Sequence, residues 1–253
     1  MLSQLLTSDI YKLLLILSRI GTAIMFLPGL GGTLVSARSR LLTALTISFL
    51  LLPVLSPKIP ALPPGPTGLL LVMAGEVTVG LYFGLLTQVL MTPLSLAGSF
   101  ISYAVGMTNS FVYDNLSEQQ SGIITGFLNN VALTLFLMSD LHHVVLRAVV
   151  ASYDLFRPGA ALPMGDFAQT LVHTLGQSFV LGMQLAAPLM VFALVFNVAL
   201  GLINRLVPQV NVFFVGMPLQ LLAGSAILMV ALPPMMALFM HFIANGLLPF
   251  LPG

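Results

Sequence analysis

Few side chains in this sequence could do chemistry, and they fall into three groups. Arg19 and Glu76 each stand alone in a long apolar run. Asp140, His142 and His143 lie within four residues of one another. Asp114, Glu118, Asn109, Asn115, Gln119 and Gln120 gather between Gly106 and Ser121, in a stretch (GMTNSFVYDNLSEQQS) that holds no Lys or Arg. A carboxylate such as Glu76 deep in an apolar segment is either a proton or ion site or a hydrogen-bonded packing residue between helices. Arg19 poses the same choice. Lys12, seven residues earlier on the same helix face, can snorkel to an interface, but Arg19 lies too deep and must face protein. The Asp140 group is the one cluster resembling a metal site. Adjacent residues of a helix point about 100° apart, however, so His142 and His143 do not readily share one ion.

Other chemistry is missing. His142, His143, His173 and His241 have no HExxH spacing, and there is no phosphate-binding loop. No GxSxG nucleophile elbow occurs. The absence of cysteine excludes disulfides, thiolate metal sites and iron–sulfur clusters. With no nucleophile–base or metal constellation, the chain reads as a non-enzyme that uses no cofactor.

The elements that hold these residues are membrane elements. Of 253 residues, 58% are hydrophobic and 6% charged, whereas a soluble domain carries about 25% charge. So few charges cannot cover a soluble surface, and long apolar runs in place of alternation exclude a barrel. The fold class expected is all-α: a helical membrane protein in contact with lipid, built from long, proline-kinked helical hairpins. The net charge of +1 gives no sign of nucleic acid. The N-terminus does not read as a signal peptide, because Asp9 precedes the first basic residue and no small-residue cleavage site follows.

Six apolar segments follow in a single domain over residues 1–253. The first spans about 9–27, with Asp9 as a cap and Pro28-Gly29 as its stop. The second spans 41–55, after a Gly-rich loop bearing Arg38 and Arg40. Five prolines between Ser56 and Pro66 then form an extended connector. The third, 67–105, approaches 60 Å as a helix, against a hydrocarbon core of about 30 Å, and Pro93 should kink or break it. Along it Glu76, Gly80, Gly84 and Gln88 recur every four residues, a small and polar stripe that lets helices approach and hydrogen-bond. After the 106–121 stretch come a fourth segment, 122–139, and a short amphipathic helix. On that helix Asp140, Arg147 and Asp154 share a face, and His143 can pair with Asp140 or Arg147. The fifth, 166–205, is as long as the third and contains Pro188. It carries polar rows at His173, Gln177 and Gln184 and at Asn197, Gly201 and Asn204 or Arg205, expected to hydrogen-bond between helices. A short aromatic loop from Leu206 to Gln220 precedes the sixth, 219–248, which holds Pro233-Pro234. Alternating spans would put Arg38, Arg40 and Arg205 on one side and Lys58, Arg147 and Arg157 on the other, which leaves no positive-inside bias.

Two physical readings stand at this point. One is a small-solute secondary transporter that uses Glu76, with helices broken at Pro93, Pro188 and Pro233 around a midplane site. The other is a subunit of a larger membrane assembly, whose over-long helices and polar stripes face neighbouring chains.

Several stretches also resemble a known family. Arg19-Ile20-Gly21 through Pro28 and the run Val35 to Leu41 are similar to the first helix and loop of the FliR family of flagellar export-gate proteins, relatives of the SctT component of virulence type III secretion. Glu76 matches the family's glutamate before a glycine-spaced helix. Pro208 to Gln220 resembles the family signature most closely, and Val215 to Leu219 favours the flagellar over the virulence branch. The resemblance implies a subunit of a helical ring-like export gate in the bacterial inner membrane, at the flagellar basal body and partly raised above the bilayer plane. Its implied partners are FliP-like and FliQ-like membrane proteins and an FlhB-like protein. Its implied cargo is unfolded flagellar subunits leaving the cytoplasm. It further implies a pore plug formed by Gly106, Met107, Asn109, Phe111, Val112, Tyr113, Asp114, Asn115 and Glu118, where Asn115 stands in place of the family's frequent proline. For the signature, the residues expected to contact partners are Pro208, Gln209, Asn211, Phe213, Phe214, Gly216 and Pro218. Arg19, Glu76, Gly80, Gly84 and Gln88 are expected to pack helices together inside the membrane.

Overall fold

The computed structural model describes residues 2–31, 35–107, 122–207, 209 and 212–251, with side chains throughout except at 2–7, 212 and 213. Among these residues there are helices and no strands. They are α1 (Leu2–Phe26), α2 (Ala37–Leu55), α3 (Pro66–Val105), α4 (Ile123–Met138), α5 (Leu141–Leu155), α6 (Met164–Leu206) and α7 (Val212–Leu247). One-turn 3-10 helices follow α2 at Ser56–Lys58 and α7 at Leu248–Phe250.

Four helical stretches are long and apolar enough to cross a membrane: Ala37–Lys58, Pro66–Val105, Met164–Leu206 and Phe214–Phe250. The α4–α5 pair makes a fifth if its bent halves are one span. The chain is thus an all-α membrane protein. Of the six expected apolar segments, 41–55, 67–105, 166–205 and 219–248 overlap these four stretches; α1 carries Asp9, Lys12 and Arg19 and is not among them.

Three further details depart from expectation. Helix α1 begins at Leu2, so Asp9 lies inside it rather than at its cap. The expected loop through Gln220 is already helical from Val212. Pro93, Pro188 and Pro233-Pro234 all sit inside continuous helices, so of the kink or break expected there the break does not occur. A proline removes only one backbone donor, and the long helical flanks on either side remain hydrogen-bonded. At 40 and 43 residues, α3 and α6 approach or exceed 60 Å, about twice a bilayer core.

The chain divides into two compact units. The first comprises residues 1–90, 136–174 and 244–253. Its core joins Leu15, Ile16, Ile20 and Ile24 of α1 to Tyr82 and Phe83 of α3 and to Val149 and Tyr153 of α5. An aromatic cluster anchors it: Tyr82 stacks on Phe167 at 4.2 Å, and Phe250 meets Phe83 edge-on at 5.2 Å. Helix α2 is started by Ser36, whose hydroxyl accepts from the Ser39 N–H at 3.2 Å. Arg40 donates to the Gly31 carbonyl at 3.0 Å.

The second unit comprises residues 91–135 and 175–243. In it α3, α4, α6 and α7 pack through small residues. A Cβ on Gly98 would lie 2.6 Å from the Thr125 Cα, and one on Gly182 would lie 2.9 Å from the Leu96 Cβ. Asn129 donates to Ser95 at 3.2 Å between α4 and α3. Close backbone approach with occasional side-chain hydrogen bonds is how helices associate where the surroundings are as apolar as the side chains.

Candidate functional site

The buried charges meet. Arg19 of α1 and Glu76 of α3, 57 residues apart in sequence, form a two-pronged ion pair: Nε to Oε2 at 2.8 Å and Nη2 to Oε1 at 2.8 Å. Arg19 is 0% exposed and Glu76 1%. The remaining guanidinium donors reach α5. Nη1 donates to Ser152 Oγ at 3.0 Å, and Nη2 also donates to the Phe156 carbonyl at 2.9 Å. The face of the guanidinium lies 3.9 Å from the centre of the Tyr153 ring, a favourable cation–π placement.

Each partner is delivered by helical spacing. Ser152 and Tyr153 lie on the buried side of α5, and Phe156 is that helix's C-cap. The carbonyls at a helix C-terminus lack intrahelical partners and carry partial negative charge, so a cation there is stabilised. Arg19 therefore caps α5 while it pairs with α3, and one side chain ties three helices. A buried charge is tolerated only when paired and fully hydrogen-bonded, and every guanidinium nitrogen here is engaged.

The stripe on α3 continues this contact. A Cβ on Gly80 would fall on the Arg19 carbonyl oxygen. One on Gly84 would lie 2.6 Å from the Phe26 Cβ. Gln88 Nε2 reaches the Phe26 carbonyl at 3.5 Å. Glu76, Gly80, Gly84 and Gln88 thus run along α1 from Arg19 to Phe26. Gly80→Val is expected to force the two backbones apart and to destabilise the chain by about 1–3 kcal/mol. Gly75→Ala, whose Cβ would meet nothing within 4 Å, is the control and should leave the melting temperature of the purified chain unchanged or slightly raised.

In the sequence Arg19 and Glu76 give separate signals, which do not specify their pairing. Two lone opposite charges, each deep in its own apolar segment, were the available clue. The pair also bears on ion transport. Both oxygens of Glu76 are held by Arg19, so a coupling ion would have to displace a two-pronged contact. A cavity of about 210 Å³ lined by Gly75, Glu76, Arg157 and Leu162 borders Glu76.

The 106–121 stretch lies outside the described residues from Thr108 to Ser121, so Asn109, Phe111, Val112, Tyr113, Asp114, Asn115 and Glu118 are not described. Its root is. Helix α3 ends at Val105, and Gly106 turns left-handed, φ 81°, a conformation that glycine adopts without a Cβ penalty. Gln220 of α7, itself buried, donates to the Ala104 carbonyl at 2.7 Å. In the signature, Pro208 and Asn211 are likewise not described, nor is the Phe213 side chain. Phe214 is 80% exposed, and Gly216 packs α7 against Leu200 of α6. Pro218 lies inside α7.

Helix α6 presents an unusual outer surface. His173, Gln177, Gln184, Asn197 and Asn204 are all exposed, beside exposed Val172, Phe179, Val191, Leu194, Val195 and Val198. These are the side chains expected to hydrogen-bond between helices, and all of them reach the surface of the single chain. Side-chain amides are costly against lipid.

Comparison with known proteins adds an independent line. Residues 10–246 match the family described as bacterial export proteins, family 1. The flagellar biosynthetic protein FliR of Caulobacter vibrioides is 37% identical over 224 residues, which cover 88% of this chain and 89% of that protein. The protein of the same name from Escherichia coli is 29% identical over 232 residues, covering 90% of this chain and 85% of that one. The Bacillus subtilis protein is 32% identical over 160 residues, 62% of each.

Proposed function

The chain belongs to the bacterial export proteins, family 1, and is a multi-pass inner-membrane subunit of the flagellar type III export gate; from that membership we propose how it works there. It acts without chemistry of its own. With FliP-like and FliQ-like membrane proteins, and in contact with an FlhB-like protein, it forms the pore through which unfolded flagellar subunits leave the cytoplasm. The observation that carries this reading is the family match over residues 10–246. The exposed amides of α6 support the assembly, since they face neighbouring chains at far lower cost than lipid. Helices of 40 and 43 residues support a body raised partly above the bilayer plane.

Within the pore, residues 106–120 act as the plug. Met107, Phe111, Val112 and Tyr113 close the channel by bulk and dewetting. Asp114, Glu118 and the neighbouring amides keep the stretch hydrated and releasable. Its root is fixed by the Gly106 turn and by the hydrogen bond from Gln220 to Ala104.

The signature is a partner contact. Phe214, 80% exposed in the single chain, is an apolar anchor for a neighbouring subunit. A cysteine placed at Phe214, in a chain that has no other, is expected to react with a maleimide in the isolated protein and to be protected in the purified complex. Equal reactivity in both would place this residue on the outside of the assembly.

A further inference from the structure

The corner between α4 and α5 carries a cluster that protein export leaves unused. Asp140 is the N-cap of α5 and adopts a left-handed backbone, φ 56°, which aspartate tolerates better than most residues. Its side chain makes no capping hydrogen bond. Instead Oδ1 lies 3.2 Å from Nδ1 of His143. The His142 ring sits beside that of His143, with centres 4.1 Å apart and planes tilted by 40°. The two adjacent imidazoles, expected to diverge, therefore converge. One donor atom from each of the three residues lies within 4.8 Å of the other two. Nδ1 of His142 is buried and has no hydrogen-bond partner among the described residues, a costly state for a polar atom.

We propose that Asp140, His142 and His143 bind a divalent transition-metal ion of the zinc class. Two imidazoles and a carboxylate are the donor set such ions take, whereas magnesium and calcium favour oxygen donors throughout. With metal–ligand bonds of about 2.0–2.1 Å, two ligands of a tetrahedral ion stand roughly 3.3–3.4 Å apart. Asp140 and His143 already have nearly that separation, 3.2 Å. A ring nitrogen of His142, already within 4.8 Å of the other two donors, completes the set, and the ion gives that imidazole a partner. A simple Asp140–His143 pair satisfies two of the three residues and leaves His142 unexplained. Side-chain exposures of 77% for Asp140 and 59% for His143 let an ion enter from solution. The fourth coordination position is left for water or for a donor from a neighbouring chain.

The test uses the full chain, purified in mild detergent through a histidine-free tag, stripped with chelator and titrated with Co²⁺ alone. The absence of cysteine removes competing thiolate sites. The expected result is a saturable visible absorption of tetrahedral type at one ion per chain, displaced by Zn²⁺. H142A and H143A should each weaken binding by about tenfold or more, and the double variant H173A/H241A should leave it unchanged. Unaltered metal-free melting temperatures show that the variants are folded. Should H142A or H143A lower that temperature, H142Q and H143Q replace them. The proposal is overturned if the wild-type chain shows no saturable binding, if binding survives loss of both His142 and His143, or if H173A/H241A abolishes it.

Discussion

Replacing Glu76 with alanine is expected to destabilise the chain by about 3–5 kcal/mol, because it leaves the Arg19 guanidinium buried without its counter-charge. Two hydrogen bonds to Arg19 are lost, and those to Ser152 and Phe156 cannot compensate a full charge. The cavity of about 210 Å³ bordering Glu76 is roomy enough for water to reach the exposed donors, which moves the cost toward the lower end of that range. Replacing both charges, Arg19→Leu with Glu76→Leu, is expected to recover much of the stability, since a buried ion pair is often matched by well-packed apolar side chains. Recovery stays partial because the Phe156 carbonyl loses its donor. Thermal unfolding in mild detergent of the wild type, Arg19→Leu alone, Glu76→Leu alone and the double variant gives the coupling directly. In cells, Glu76→Gln should reduce motility in step with the loss of folded protein. A protein that folds and supports motility normally, yet loses uptake of a small solute, would instead make Glu76 a coupling site.

Deleting Ser110 to Asp114 is expected to leave a folded subunit in a leaky gate. The deletion removes Phe111, Val112 and Tyr113, three of the four bulky residues assigned to the plug, and leaves the Gly106 turn and the Gln220 anchor intact. A pore without an apolar constriction stays wetted and conducts. The readout is leakage of ions and small solutes across the membrane of cells producing the variant, measured beside secretion of flagellar subunits. If leakage and secretion were both unchanged, the stretch would not be the plug.

What the sequence made legible follows from which signals are local. Composition and run length determined the all-α membrane class, since they depend only on solvent and helix rise. The spacing of Glu76, Gly80, Gly84 and Gln88 identified the face of α3 that touches α1, because a four-residue period is a property of one helix. The Asp140–His143 pair was readable for the same reason. The Arg19–Glu76 contact was not, since it joins residues 57 apart and needs the packing of two helices. The start of α1 was misplaced because a capping residue, Asp9, stands where no cap is needed; residues 2–8 contain neither Gly nor Pro to stop the helix. A proline in an apolar run signals a kink or a break, and the sequence does not say which. In helices this long, neighbouring turns and packed helices keep the chain helical through them. The polar rows of α6 are legible as hydrogen-bonding rows from their spacing, but their exposure in the single chain is not, because it depends on how the helices pack.

The central claim is that this chain works as one subunit of a pore and not alone, and co-purification tests it most directly. The tagged full-length chain, produced in its own host and extracted in mild detergent, should elute as one large particle with two further polytopic membrane proteins in fixed ratio, identified by mass spectrometry as FliP-like and FliQ-like. Elution as a single, well-folded chain free of such partners, from cells that are assembling flagella, would contradict it.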